Sequence, residues 1–153
     1  MNPTPEKTSV MAPFILMLFL YFIVGLFTVI NQQFQVPLKS ALLPHDGNMT
    51  NALVTLLNFS WFLAYPFSEG FATRWVDRLG YRKTSVYSLL IFIVGLGFYE
   101  AAVLLHIYAP SYITIMGNPI FTGFFVFLSG SFVIGMAVTI LQVVTGLYLD
   151  VNP

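Results

Sequence analysis

Arg74-Trp75-Val76-Asp77-Arg78-Leu79-Gly80-Tyr81-Arg82-Lys83 is a charged island between two long apolar stretches. The chain has six Lys and Arg residues, and four of them stand here. A basic cluster that joins two apolar runs through a glycine turn is the pattern of an inside loop in a polytopic membrane protein. The positive-inside rule accounts for the basic residues by itself. It does not account for Asp77, which either caps the start of a helix or pairs with Arg82. Nor does it account for Gly80, whose freedom at positive φ suits a tight turn between packed helices.

Outward from the island the chain is membrane-grade. Hydrophobic residues make up 58% and charged residues 8%, with a mean hydropathy of +0.83. Soluble domains carry about 25% charge, so a water-soluble globule is excluded. No cysteine is present, which removes disulfides, thiolate metal sites and a Cys nucleophile. Formal net charge is zero, which leaves nucleic-acid binding without an electrostatic basis. The apolar run near the N-terminus is too long for a signal peptide's hydrophobic region and lacks an A-x-A site.

Charges delimit the spans. Thirty-one uncharged residues separate Lys7 from Lys39, 22 separate Asp46 from Glu69, and 16 separate Lys83 from Glu100, after which the apolar run resumes at Ala101. The 49 uncharged residues between Glu100 and Asp150 exceed the ~20 of one span and must hold a loop. His106-Ile-Tyr-Ala-Pro110-Ser111 and Gly117-Asn118-Pro119 supply its breakers and interfacial aromatics. The expected fold is all-α and polytopic. Its four helices cover about Met11–Leu43, Thr50–Thr73, Lys83–His106 and Pro119–Leu149, with a basic hairpin over 74–83. With Lys7 and the island inside and only Lys39 outside, both termini are expected in the cytoplasm and the protein in the cell membrane. Trp61 falls deep in span two and reads as a packing residue. Trp75 reads as interfacial.

Two polar stripes interrupt the grease. Tyr21, Gly25, Thr28, Gln32, Gln35 and Lys39 recur at spacings of three and four on the first helix, flanked by Asn31 and Gln33. Ser131, Gly135, Thr139, Gln142 and Gly146 do so on the fourth. Amides facing lipid would lose hydrogen bonds, so both stripes are expected to face protein or water. The Ser131-x-x-x-Gly135-x-x-x-Thr139 ladder also has the small-residue spacing of close helix packing. The second span carries Thr55, Asn58, Tyr65 and Glu69, and Pro66 is expected to bend it. Gly95-Leu-Gly97 lies in an apolar span, where a dinucleotide reading fails on context. Asn48-Met-Thr50 matches the glycosylation pattern but adjoins the membrane.

The island resembles the loop between the second and third helices of major facilitator transporters, whose pattern is Gly-x-x-x-Asp-Arg-x-Gly-Arg-Arg. Thr73 and Tyr81 depart from it, while Asp77, Arg78, Gly80 and Arg82 keep it. Asn31-Gln-Gln-Phe-Gln-Val-Pro37 is similar to the end of the first helix in fucose-permease-like sugar–proton symporters. Leu141-Gln142 and the residues up to Tyr148 are similar to their fourth helix. The resemblance spans nearly the whole chain but about a third of a twelve-helix carrier. It implies alternating access in two halves of inverted repeats, a gating hairpin at Asp77, Arg78, Gly80 and Arg82, and monosaccharide binding by Gln142, Asn31, Gln32 and Gln33. The family's carboxylates fall on Gln33 and Gln142, which bind hydroxyls but cannot take up a proton. Glu100 is therefore the acid in these residues available for proton coupling. It could equally snorkel outward or pair with Lys39. Glu69 is expected to form an ion pair with Arg74, and His106 to sit at a helix end rather than on a metal.

The implied protein is a partial chain, with the lipid bilayer, a sugar-like solute and the remaining transporter helices as partners. The rival is a self-contained four-helix membrane protein, either a homodimeric transporter or an assembly or scaffold subunit. An enzyme is not expected, because no nucleophile, metal or cofactor constellation is visible.

Overall fold

The computed structural model describes residues 11–33, 35–43 and 47–151. Expectations that rest on Lys7, Asp46, the Gln35 side chain or Asn152-Pro153 lie outside the described residues. In chain order the elements are α1 (Met11–Gln33), α2 (Gln35–Leu42), α3 (Asn48–Tyr108), β1 (Tyr112–Ile115), β2 (Asn118–Phe121) and α4 (Thr122–Val151). Three helices, α1, α3 and α4, are long and apolar enough to cross a membrane.

The first expected helix, Met11–Leu43, is described as two elements, α1 and α2, on either side of Phe34, which lies outside the described residues.

At 61 residues, α3 would be roughly 90 Å long if straight, about three hydrocarbon thicknesses. It is not straight. Gly80 alone has non-helical dihedrals, φ 78° and ψ 166°, a region that essentially only glycine enters. The expected basic loop over 74–83 is corrected accordingly. Helix runs up to residue 79 and resumes at 81, because Arg, Leu and Lys are good helix formers and need no loop around a single glycine. Pro66 sits inside the first arm without breaking its helical dihedrals.

Side-chain contacts fix the directions of the two arms. Along the first arm, 48–79, Ser60 meets Leu128, Ala64 lies against Gly135, and Ala72 and Val76 cluster with Ile140 and Val144. This arm therefore runs parallel to α4. Along the second arm, 81–108, Tyr81 meets Tyr148, Gly95 meets Ile134 and Tyr99 meets Ser131, so the order is reversed. The arms fold back on each other about Gly80, and Trp75 and Tyr87 face across the bend with ring centroids 6.2 Å apart. Met17 joins the Ala72–Val76 cluster while Val24 joins Trp61, so α1 runs opposite to the first arm.

The centre of the assembly is α4. In its most apolar stretch 61% of residues are buried, against 11% in α1 and 17% in α3. Small residues make that enclosure possible. A Cβ on Gly135 would stand 2.8 Å from the Trp61 carbonyl oxygen and 3.0 Å from the Ala64 Cβ. One on Gly130 would stand 2.8 Å from the Tyr99 ring. The ladder on this helix is a packing surface, as its spacing implied.

Helix hydroxyls, buried and exposed alike, mostly satisfy themselves. Thr28, Thr55, Thr73, Thr84, Ser85, Ser129, Thr139 and Thr145 each donate to the carbonyl four residues back on their own helix, at 2.8–3.1 Å. That arrangement lets a helix carry hydroxyls where water is absent.

The fourth helix begins at Thr122, not Pro119. Residues 112–121 form a two-stranded antiparallel hairpin with Ile115 opposite Asn118 and Thr114 opposite Pro119. Met116 and Gly117 turn it with φ of 50° and 80°, the positive pair that a two-residue hairpin loop requires. An isolated hairpin is marginal in water. This one is anchored by Ile120 and Phe121, both 2% exposed, in a cluster with Leu53, Leu57, Ala102 and Phe124.

Candidate functional site

A cavity of about 450 Å³ is bounded by α1, both arms of α3 and α4. α1 contributes Phe27, Ile30 and Asn31; the first arm gives Trp61; the second gives Phe92, Leu96, Tyr99, Glu100 and Val103; α4 gives Phe127 and Ile134. The wall is almost wholly apolar and half of it is aromatic. Phe27 and Phe92 meet edge to face at 4.9 Å, and Tyr99 stacks on Phe127 at 4.0 Å and 2°. The Tyr99 hydroxyl is engaged, sharing a 2.9 Å hydrogen bond with Ser131 Oγ.

Two of the lining residues are polar, Asn31 and Glu100. Asn31 lies in the last turn of α1, and Glu100 stands about 30 Å along the second arm from Gly80 at 1.5 Å per residue. Among the described residues Glu100 is the one charged residue lining the cavity. Lys39, one of its expected partners, donates from Nζ to Asn51 Oδ1 at 3.2 Å instead.

The residues expected to bind a sugar are not brought together. Asn31 lines the cavity; Gln32 and Gln33, further along α1, are exposed and do not. Gln142 is half-buried on α4, outside the lining. Its backbone carbonyl accepts from Thr145 Oγ1 at 3.0 Å. On the α1 stripe Tyr21, Gly25 and Gln32 are exposed, while Thr28 and Lys39 are half-buried.

At the Gly80 end, Asp77, Arg78 and Arg82 are exposed. Asp77 lies in the last turn of the first arm, so it caps no helix start. Among the described residues no ion pair within 4 Å joins Asp77 to Arg82, or Glu69 to Arg74. Thr84 Oγ1 donates to the Gly80 carbonyl at 2.9 Å and ties the bend to the second arm. His106 lies near the end of α3, edge-on to Phe121 at 5.0 Å. Trp61 is 2% exposed, in keeping with a packing role. Its Nε1 finds no partner among the described residues, nor do the buried hydroxyls of Ser68 and Ser88.

Sequence reasoning missed the aromatic wall. A signal was present: Phe92, Leu96, Tyr99, Glu100 and Val103 share one helical face, as do Phe27, Ile30 and Asn31. In a chain with 17% aromatic residues that spacing does not separate a cavity from ordinary packing.

Comparison with protein-family models, with curated proteins and with solved structures found no significant match.

Proposed function

We propose that the chain spans the membrane four times, with both ends cytoplasmic, and carries a small solute by alternating access as part of a larger secondary transporter. The cavity is the observation that supports this reading most. It lies between antiparallel helical rods, within the apolar part of the assembly, and holds an intramembrane carboxylate, a residue type that marks solute and ion paths in membranes. The five-to-one bias of basic residues supports the orientation. Kinship with major facilitators rests on Asp77, Arg78, Gly80, Arg82 and Lys83, where the bend at Gly80 fits the short connection that such a hairpin needs.

A monosaccharide is the solute that the resemblance implies, but the cavity gives it little to bind. Of the four amide residues expected to hold it, Asn31 alone lines the wall. Each sugar hydroxyl left without a partner costs on the order of 1–3 kcal/mol.

Uptake by cells that express the protein from its native locus tests the proposal, using a panel of labelled hexoses and apolar amines. At least one solute should enter in a protein-dependent way. Asp77→Asn, at equal membrane abundance, should slow that uptake. Absence of protein-dependent uptake across the panel would overturn the transport reading.

A further inference from the structure

We infer that the cavity binds a lipophilic organic cation, with its charge beside Glu100 and its apolar body among Phe27, Trp61, Phe92, Tyr99 and Phe127. The inference takes its site from the transport reading and specifies the solute class.

Three features of the wall select this class. The first is size: about 450 Å³ lies in the range of roughly 300–1,000 Å³ found for pockets that enclose small organic molecules. The second is polarity. Trp61 Nε1 is buried without accessible surface, and the Tyr99 hydroxyl is shared with Ser131. That leaves Asn31 and Glu100, so a polyhydroxylated solute would lose far more hydrogen bonds to water than it regained. The third is charge. A carboxylate beside aromatic rings attracts a cation twice, by direct Coulomb attraction and through the negative faces of the rings. The same arrangement repels an anion. A neutral hydrocarbon would fill the space but would gain nothing from Glu100.

The distribution of polarity sets the pose. Asn31 and Glu100 are the polar residues of the lining, and Ile134 and Trp61 are deeply buried in the wall, at 3% and 2% exposure. An amphiphilic cation satisfies the carboxylate and the rings together: its head replaces lost hydration with the carboxylate, and its body removes aromatic surface from contact with water or lipid.

Two ions of nearly the same shape and opposite charge make the test. The chain is purified into lipid nanodiscs, and tetraphenylphosphonium and tetraphenylborate are compared by equilibrium dialysis. Quenching of Trp61 fluorescence in a Trp75→Phe background reports occupancy of the cavity. Tetraphenylphosphonium should bind saturably and quench Trp61, with tetraphenylborate at least about tenfold weaker. Glu100→Gln should weaken the cation about tenfold and narrow the discrimination between the two ions. Phe92→Leu, which keeps the apolar volume and removes one ring, should weaken the cation a few fold, with helicity checked by circular dichroism for both variants. Equal binding of the two ions, or unchanged cation affinity in Glu100→Gln with helicity intact, would overturn the inference. Saturable binding of glucose in place of the cation would also overturn it while leaving the transport reading standing. That reading fails separately, by the uptake panel.

Discussion

Gly135→Ala tests the packing of α4 against the first arm of α3. The new methyl carbon would stand 2.8 Å from the Trp61 carbonyl oxygen and 3.0 Å from the Ala64 Cβ. Relaxed carbon contacts lie near 3.5–4.0 Å, so the shortfall is about half an ångström or more. Neither neighbour can swing aside, since one is helix backbone and the other is a Cβ fixed to it. The arm itself must move outward. A gap of 0.5–1 Å forfeits about a quarter to a half of each contact's attraction, and overpacking of this kind costs about 1–3 kcal/mol. We expect a loss of about 2 kcal/mol, roughly a thirtyfold fall in the folded-to-unfolded ratio. Gly146→Ala is the control on the same helix, with no atom within 4 Å of its added carbon, and it should be neutral within about 0.5 kcal/mol. Titration with SDS in mixed micelles, followed by circular dichroism and Trp fluorescence, gives both midpoints. Equal midpoints for the two variants would refute the close approach of α4 to Trp61 and Ala64.

Two other outcomes follow from single geometries. Gly80→Ala meets no steric neighbour but places a side chain at φ 78°, so it should destabilise the bend by about 1–3 kcal/mol in the same titration; an unchanged midpoint would mean that the bend lies elsewhere. Tyr99→Phe removes the 2.9 Å bond to Ser131, and a double-mutant cycle with Ser131→Ala should return a coupling of about 0.6–2 kcal/mol, whereas additive effects would deny the bond.

How far the fold could be read from the sequence depended on whether the signal was local. The apolar runs and the charges that bound them placed the long helices, because lipid solubility and helix length are local quantities. Gly80 was readable as a turn because only glycine fits its backbone. The β-hairpin was missed. Tyr112-Ile113-Thr114-Ile115 has strand composition, but Pro119 argued for a breaker, and Met116 is an unusual residue at positive φ. The cavity could not be foreseen, because it depends on how four helical segments are rotated. Rotation follows from packing such as Gly135 on Trp61, not from spacing along one helix. For the same reason Gln142, a polar residue on a polar stripe, was expected in the site and lies outside it.

The most direct test of the account is the sidedness of the two turns. The chain has no cysteine, so each introduced thiol is unique. Leu79→Cys reports the Gly80 bend, where Leu79 is 38% exposed, and Thr114→Cys reports the exposed β1 strand. In intact cells a membrane-impermeant maleimide should label Thr114→Cys at once and Leu79→Cys only after the membrane is opened. Labelling of both thiols from outside, or of Leu79→Cys alone, would contradict a chain that crosses the membrane four times with its basic bend in the cytoplasm.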